Sequence, residues 1–246
     1  MILTFMRHPP IDAGSERCIG QTDAELSPEG RTALPPLAEE ACRLKADKIL
    51  CSDLQRCQLL AEAIAARLGL LAEPDPVWRE LSFGAWENRT WSDIRAREPH
   101  VFREWVTNFD TVAPPDGESF EKLQTRVLTG MKDKIVGPKC DTGIPPEPQA
   151  RANAGETPAL HYLVVTHAGV IRAAVSAFFR LPLRNAFELA VPYGSHTSFC
   201  WDGNHWSLDR KNQSACIADK SLKIGERCRL VDLVAEGRTL SRERAL

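Results

Sequence analysis

Three short apolar segments, each followed by polar side chains, constrain the fold of this chain more than any other feature. Residues 1–6, 48–51 and 161–166 have the length and composition of buried β-strands. Helical patterns follow the second and third of them, over residues 53–68 and 168–179. Strands that alternate with helices predict an α/β fold, a three-layer α/β/α domain with a mostly parallel central sheet.

The remaining elements are predicted from local signals. A helix should begin at Ser27-Pro28-Glu29, with a kink or restart at Pro35-Pro36, because proline lacks the amide donor. Helices are further predicted over residues 91–97, 101–106 and 120–135, and strands over 187–191, 197–201 and 205–208, with residues 202–204 joining the last two as a hairpin.

Two stretches lack the periodic spacing of apolar residues that is typical of helices and strands. Residues 137–160, rich in proline, glycine and polar side chains, are predicted to form an exposed insertion in a domain that covers residues 1–211. Residues 212–246 are predicted to be a peripheral C-terminal extension.

Charge and composition exclude several classes of protein. The net charge of −2 gives no case for binding nucleic acid or an anionic membrane. No apolar run approaches the roughly 20 residues of a membrane span, and no secretory signal precedes the first strand, so we expect a cytoplasmic protein. The eight cysteines are scattered without a C-x-x-C pair, which favours reduced thiols over a zinc site. A dimer is compatible with the sequence, but no feature argues for it.

The candidate site lies at the strand ends. In a parallel sheet, ligands bind beyond the carboxyl ends of the strands, which places Arg7, His8, Arg56 and His167 at one edge. Two guanidinium groups match the oxygens of a phosphate, and a neutral histidine is a competent nucleophile toward phosphorus. The arginines would oppose a cation, so we expect no metal and no cofactor. A phosphoryl-transfer site is the predicted chemistry.

Such a site needs an acid that donates a proton to the oxygen of the leaving group. Glu80 stands in the apolar, aromatic segment "WRELSFGAWENRTW" (78–91), where burial would favour its protonated form. The same carboxyl group could afterwards activate water. Glu87 is the competing carboxylate in that segment.

Motifs along most of the chain resemble those of a known family. In order they read "MRHPP" (6–10), "GQTDAELSPEG" (20–30), "CSDLQRCQLLAEAIA" (51–65), "ELSFGAWENRTW" (80–91), "PPDGESF" (114–120) and "VVTHAG" (164–169). Over residues 1–209, apart from the insertion, this order is similar to that of the histidine phosphatase superfamily, which includes the cofactor-dependent phosphoglycerate mutases. Within it, "RHPP" and the loop "C-x-G-x-T-D" (18–23) look most like the α-ribazole phosphatases of cobalamin assembly.

The resemblance implies a phosphoglycerate mutase-like fold and a role for each site residue. His8 would form a phosphohistidine, Arg7, Arg56 and His167 would bind the phosphoryl group, and Glu80 would donate the proton. Pro9 departs from the usual glycine but could still orient His8 through its carbonyl group.

The resemblance also implies a small-molecule phosphomonoester as substrate. Gln21 and Thr22 are candidate substrate-binding residues, and the favoured substrate is α-ribazole 5′-phosphate. A broad-specificity phosphatase, a phosphoglycerate mutase and a non-catalytic phosphate- or partner-binding module remain as alternatives.

Overall fold

A six-stranded mixed sheet forms the centre of the molecule. The structure, a computed structural model, describes residues 1–13, 16–136, 159–202 and 205–213. The strand order is β3-β2-β4-β1-β5-β6, in which β3, β2, β4 and β1 pair in parallel and β5 and β6 are antiparallel. The strands are β1 Ile2–Arg7, β2 Lys48–Cys51, β3 Ala72–Pro74, β4 His161–Thr166, β5 His196–Trp201 and β6 Trp206–Gln213. The predicted α/β class and the mostly parallel sheet are confirmed.

Helices connect and cover these strands. The α-helices are α1 Pro28–Cys42, α2 Gln55–Leu68, α3 Trp91–Arg97, α4 Pro99–Asn108, α5 Phe120–Met131 and α6 Ala168–Phe178. Short 3-10 turns lie at Pro76–Trp78, Gly84–Trp86 and Leu183–Glu188, and a π-helical turn at Lys132–Val136 extends α5. Ser27 caps α1 by accepting the Gly30 amide, as the sequence predicts.

Alternation along the strands separates two apolar layers. Leu3 and Phe5 of β1 face a core shared with α5 and α6, whereas Met6 faces a core shared with α1 and α2. Because side chains of a strand point alternately to the two faces, one short strand serves both cores. Both sheet faces are therefore covered, and the strand ends remain available for a site.

The predicted strand over residues 187–191 is wrong. The 3-10 turn Leu183–Glu188 occupies its beginning, and Phe187 packs against Phe109 and Phe120 with ring centroids 4.7 and 5.7 Å apart. The segment is not part of the sheet, in which β1 is paired on both sides, by β4 and by β5. Of its apolar residues, Leu189 and Val191 are buried without forming a strand, whereas Phe187 is 41% exposed.

The predicted interruption at Pro35-Pro36 is also wrong, because α1 runs unbroken through both prolines. Both proline rings lie on the exposed face of the helix, while Ala38 and Ala41 on the other face are completely buried against α2. Burial of this face offsets the missing amide hydrogen bonds.

Other sequence predictions fall partly outside the described residues. The predicted insertion lies there except for residues 159–160, and the predicted extension lies there except for the end of β6. In the described parts of the chain, no helix has the length and apolar character needed to cross a bilayer. The five cysteines described are all free thiols.

Candidate functional site

The strand ends bring the predicted site residues together. Arg7 pairs with Thr166 in the β1–β4 register, and Cys51 pairs with Val165 between β2 and β4. The ladder continues one residue further, where the His8 amide donates to the Thr166 carbonyl at 3.0 Å. Three parallel strands therefore end at one level, and the residues that follow them share one edge.

His8 is a buried histidine with a defined tautomer. It is 4% exposed, and its Nδ1 lies 2.7 Å from the Pro9 carbonyl oxygen. A carbonyl oxygen only accepts, so Nδ1 carries the proton and Nε2 keeps its lone pair. Burial, followed by the charges of Arg56 and Arg7, holds the pKa of His8 well below its usual value. His8 is therefore a neutral imidazole with a nucleophilic Nε2.

His167 lies against His8, with ring centroids 5.1 Å apart in an edge-to-face arrangement. It caps the N-terminus of α6 and is completely buried. Its Nδ1 accepts from Arg56 Nε at 3.3 Å, so its Nε2 carries the proton and donates to Ser52 Oγ at 2.9 Å. Burial, then the charge of Arg56, lowers the pKa of His167 well below its usual value. The second histidine is also neutral.

Arg56 is a buried cation at the start of α2, with 2% of its surface exposed. Its two terminal nitrogens each donate at 2.7 Å, to the carbonyl oxygens of Thr22 and Gly20. Those acceptors belong to loop 18–26, so Arg56 fixes this loop beside the two histidines. Because guanidinium stays charged, the site keeps a permanent positive charge.

Arg7 extends from β1 toward the segment that precedes β5. Its terminal nitrogen donates to the Val191 carbonyl at 2.5 Å, and its guanidinium carbon lies 3.7 Å from the Tyr193 ring centroid. Tyr193 is also 5.4 Å from His8 by ring centroids and is 43% exposed. Sequence reasoning missed Tyr193, because a tyrosine in a proline-glycine turn carries no local signal of stacking on a residue far away in the chain.

The Glu80 side chain contacts the first turn of α6 at Gly169, two residues after His167. Its Oε2 accepts the Gly169 amide at 3.1 Å and its Oε1 accepts the Leu81 amide at 2.9 Å. The N-terminus of α6, where His167 is the capping residue, thus also holds this carboxyl group.

Glu87, the competing carboxylate, holds loop 18–26 instead. It accepts the Gln21 amide at 2.9 Å, the Thr22 hydroxyl at 2.8 Å and the Phe83 amide at 3.2 Å. Gln21 in turn donates from its side chain to the Glu80 carbonyl oxygen at 3.0 Å. The side chains of Gln21 and Thr22 therefore tie the loop to the Glu80 segment.

The combined arrangement is a cationic site with two neutral imidazoles and one carboxyl group. Guanidinium groups such as those of Arg7 and Arg56 can bind phosphate oxygens, and a neutral imidazole such as that of His8 can act as a nucleophile toward phosphorus. Among the described residues, no group of three or more histidine, cysteine, aspartate or glutamate side chains is placed to hold a metal ion.

Comparison with known proteins agrees with this chemistry. The model of the histidine phosphatase superfamily (branch 1) matches residues 3–214. Glucosyl-3-phosphoglycerate phosphatase of Mycobacterium tuberculosis is 30% identical over 230 residues, covering 89% of this chain and 98% of that protein. The adenosylcobalamin/α-ribazole phosphatase of Salmonella typhimurium is 22% identical over 155 residues, 63% of this chain and 65% of that protein.

A solved structure shows the same fold. The mycobacterial glucosyl-3-phosphoglycerate phosphatase in complex with VO3 superimposes with a TM-score of 0.67 at 28% sequence identity, covering 85% of this chain and 96% of that one.

Proposed function

The chain belongs to the histidine phosphatase superfamily and is a phosphoric monoester hydrolase, and on this premise we propose that it acts without a metal, through a phosphohistidine formed on His8. The observation that carries the proposal is the hydrogen bond from His8 Nδ1 to the Pro9 carbonyl at 2.7 Å. It leaves Nε2 as the lone-pair nitrogen, and the lowered pKa keeps the ring neutral.

In the first step, His8 Nε2 attacks phosphorus and the bond to the leaving oxygen breaks. Arg7, Arg56 and the Nε2 proton of His167 neutralise the phosphoryl oxygens, for which His167 exchanges its bond to Ser52. Glu80 gives its proton to the leaving oxygen, so that a neutral alcohol departs.

In the second step, water attacks the phosphohistidine. Glu80, now ionised, takes a proton from that water, and the P–N bond breaks to return neutral His8 and release inorganic phosphate. The amides of Leu81 and Gly169 hold the carboxylate in place for both proton transfers.

The test is substitution of the nucleophile. His8→Gln should abolish turnover of p-nitrophenyl phosphate in metal-free buffer, while His100→Gln, an exposed histidine on α4, should retain it. A rapid quench of the unsubstituted enzyme should trap an acid-labile, alkali-stable phosphoprotein that His8→Gln lacks. Unchanged turnover in His8→Gln would sink the proposal.

Two substrates are candidates. The motif resemblance favours α-ribazole 5′-phosphate, supported by the Salmonella typhimurium relative. The 30% identity across nearly the whole Mycobacterium tuberculosis relative favours glucosyl-3-phosphoglycerate. Phosphate release from each ester, beside p-nitrophenyl phosphate, separates these candidates, and even rates on all esters would indicate a broad-specificity phosphatase.

A mutase would return the phosphoryl group to its substrate. Isomerisation of 3-phosphoglycerate primed with a bisphosphoglycerate, faster than phosphate release, would favour that activity. Binding of phosphate without turnover of any phosphomonoester would instead favour a non-catalytic binding module.

A further inference from the structure

A small cavity lies beside Glu80, between the first turns of α6 and the turn Leu183–Glu188. Its volume is about 60 Å³, and it is partly open to the protein surface. Its walls include Glu80, Phe83, Phe120, Gly169, Arg172 and Phe187. Of these side chains, the mechanism uses only that of Glu80. The cavity therefore adjoins the carboxyl group proposed to protonate the leaving oxygen.

Arg172 gives this cavity a permanent positive charge. The side chain is partly buried, its Nε donates to the Leu189 carbonyl at 3.0 Å, and its guanidinium carbon lies 5.1 Å from the Phe187 ring centroid. The hydrogen bond and the ring fix the planar group in one orientation. A fixed guanidinium fork matches a carboxylate in geometry as well as charge.

The carboxyl group of Glu80, in the same wall of the cavity, already accepts hydrogen bonds from the backbone. Each of its oxygens accepts one backbone amide, from Leu81 and from Gly169 at the positive end of α6. These amides partly offset its negative charge when it is ionised. Arg172 consequently sets the preference of the cavity for an anionic group.

The size of the cavity limits what it can hold. One water molecule needs roughly 10–15 Å³ of space open to a water-sized sphere, so the cavity, with about 60 Å³, can hold a group of a few heavy atoms. The aromatic walls suit a short hydrocarbon stem. A carboxylate on a short stem satisfies the charge, the geometry and the volume together.

We propose that this cavity is the leaving-group subsite and that Arg172 binds a carboxylate carried by the alcohol of the substrate. The inference rests on the proposed function, because it takes Glu80 as the proton donor to that alcohol. It makes Arg172 a specificity-determining residue for phosphomonoesters of short hydroxy acids, whether or not a larger group extends from them into solvent.

The experiment compares two esters that differ at one group. Glycerol 3-phosphate carries a hydroxymethyl group where 3-phosphoglycerate carries its carboxylate. Their ratio of kcat/KM is measured for the unsubstituted protein, Arg172→Gln, Arg172→Lys and the control Arg95→Gln, an exposed arginine on α3. We expect the ratio to favour 3-phosphoglycerate and to fall by at least about tenfold in Arg172→Gln, as loss of a charged hydrogen bond implies. Arg172→Lys should keep part of the preference, and Arg95→Gln all of it.

A second measurement does not depend on folding of the variants. 3-Phosphonopropionate and propylphosphonate differ by the carboxylate, and the first should inhibit p-nitrophenyl phosphate turnover by the unsubstituted protein more strongly. Equal inhibition overturns the inference, as does a ratio of kcat/KM that shows no preference or that Arg172→Gln leaves unchanged. Both results leave the proposed function standing. Failure to turn over any phosphomonoester overturns the proposed function, and this inference with it.

Discussion

The Nδ1–H group of His8 donates to the carbonyl oxygen of Pro9, the next residue, at 2.7 Å. The proline replaces an expected glycine, yet the group that orients the imidazole is the backbone carbonyl, which every residue carries. The ring of Pro9 contributes differently, by restricting the chain where it leaves β1.

Replacement of that proline separates the two contributions. Pro9→Ala should keep kcat for p-nitrophenyl phosphate within a few-fold, because the carbonyl acceptor is retained. The free energy of unfolding should fall by about 0.4–1 kcal/mol, because the unfolded chain gains freedom. Pro10→Ala is the matched control in urea unfolding and steady-state assays. Loss of activity comparable to that of His8→Gln would contradict this account of the carbonyl.

Arg56 should be irreplaceable by lysine. One ammonium group cannot donate simultaneously to the carbonyls of Gly20 and Thr22 and to His167 Nδ1. Arg56→Lys should lower the free energy of unfolding by about 3 kcal/mol, since buried acceptors lose their donors. Arg67→Lys, on the exposed side of the same helix, should change it by less than about 0.5 kcal/mol. Equal urea midpoints for both variants would show that Arg56 does not hold loop 18–26.

Glu80 should matter most for poor leaving groups. In Glu80→Gln, kcat/KM for an alkyl phosphate should fall by about 10²–10⁴, because the alkoxide leaves without a proton. This ratio reports the phosphorylation of His8 and not the hydrolysis of the phosphohistidine, a step that all esters share. kcat/KM for p-nitrophenyl phosphate should fall far less, since nitrophenolate needs no proton to leave. Glu87→Gln should instead change kcat/KM for both esters by a similar factor, because Glu87 holds the loop. Equal losses of kcat/KM on both esters in Glu80→Gln would exclude the role of proton donor.

Stability should fall as the pH drops below about 6.5, the pKa of histidine in the unfolded chain. The pKa values of His8 and His167 are lowered in the folded protein, so the unfolded chain binds more protons in that window. Each histidine should lower the free energy of unfolding by up to about 1.4 kcal/mol per pH unit, and neither contributes to the slope above that window.

Urea unfolding between about pH 5 and 8 measures this slope. In His8→Gln the slope of the free energy of unfolding against pH should be shallower by the contribution of His8, up to about 1.4 kcal/mol per pH unit. An identical slope in both proteins would mean that His8 is not held neutral by the fold.

Local sequence patterns predicted five of the six strands, the helices next to them and the position of most site residues, but they missed β3, Ala72–Pro74. Arg7, His8 and His167 stand at the carboxyl ends of apolar strands, and parallel strands end at one edge of a sheet. The sequence pattern alone therefore predicts that these three residues lie close together. The wrongly predicted strand shows where local patterns fail. Residues 187–191 are apolar enough for a strand, but only the tertiary structure shows that they are not part of the sheet.

The tertiary structure alone decided the chemistry of the site. It placed the Glu80 side chain against the first turn of α6 and that of Glu87 against loop 18–26, and it brought Tyr193 over Arg7. It also fixed the tautomer of His167 through Arg56, 111 residues earlier in the chain. Proton positions, stacking and pKa depend on which groups meet across the fold, whereas strand and helix patterns depend on neighbours along the chain.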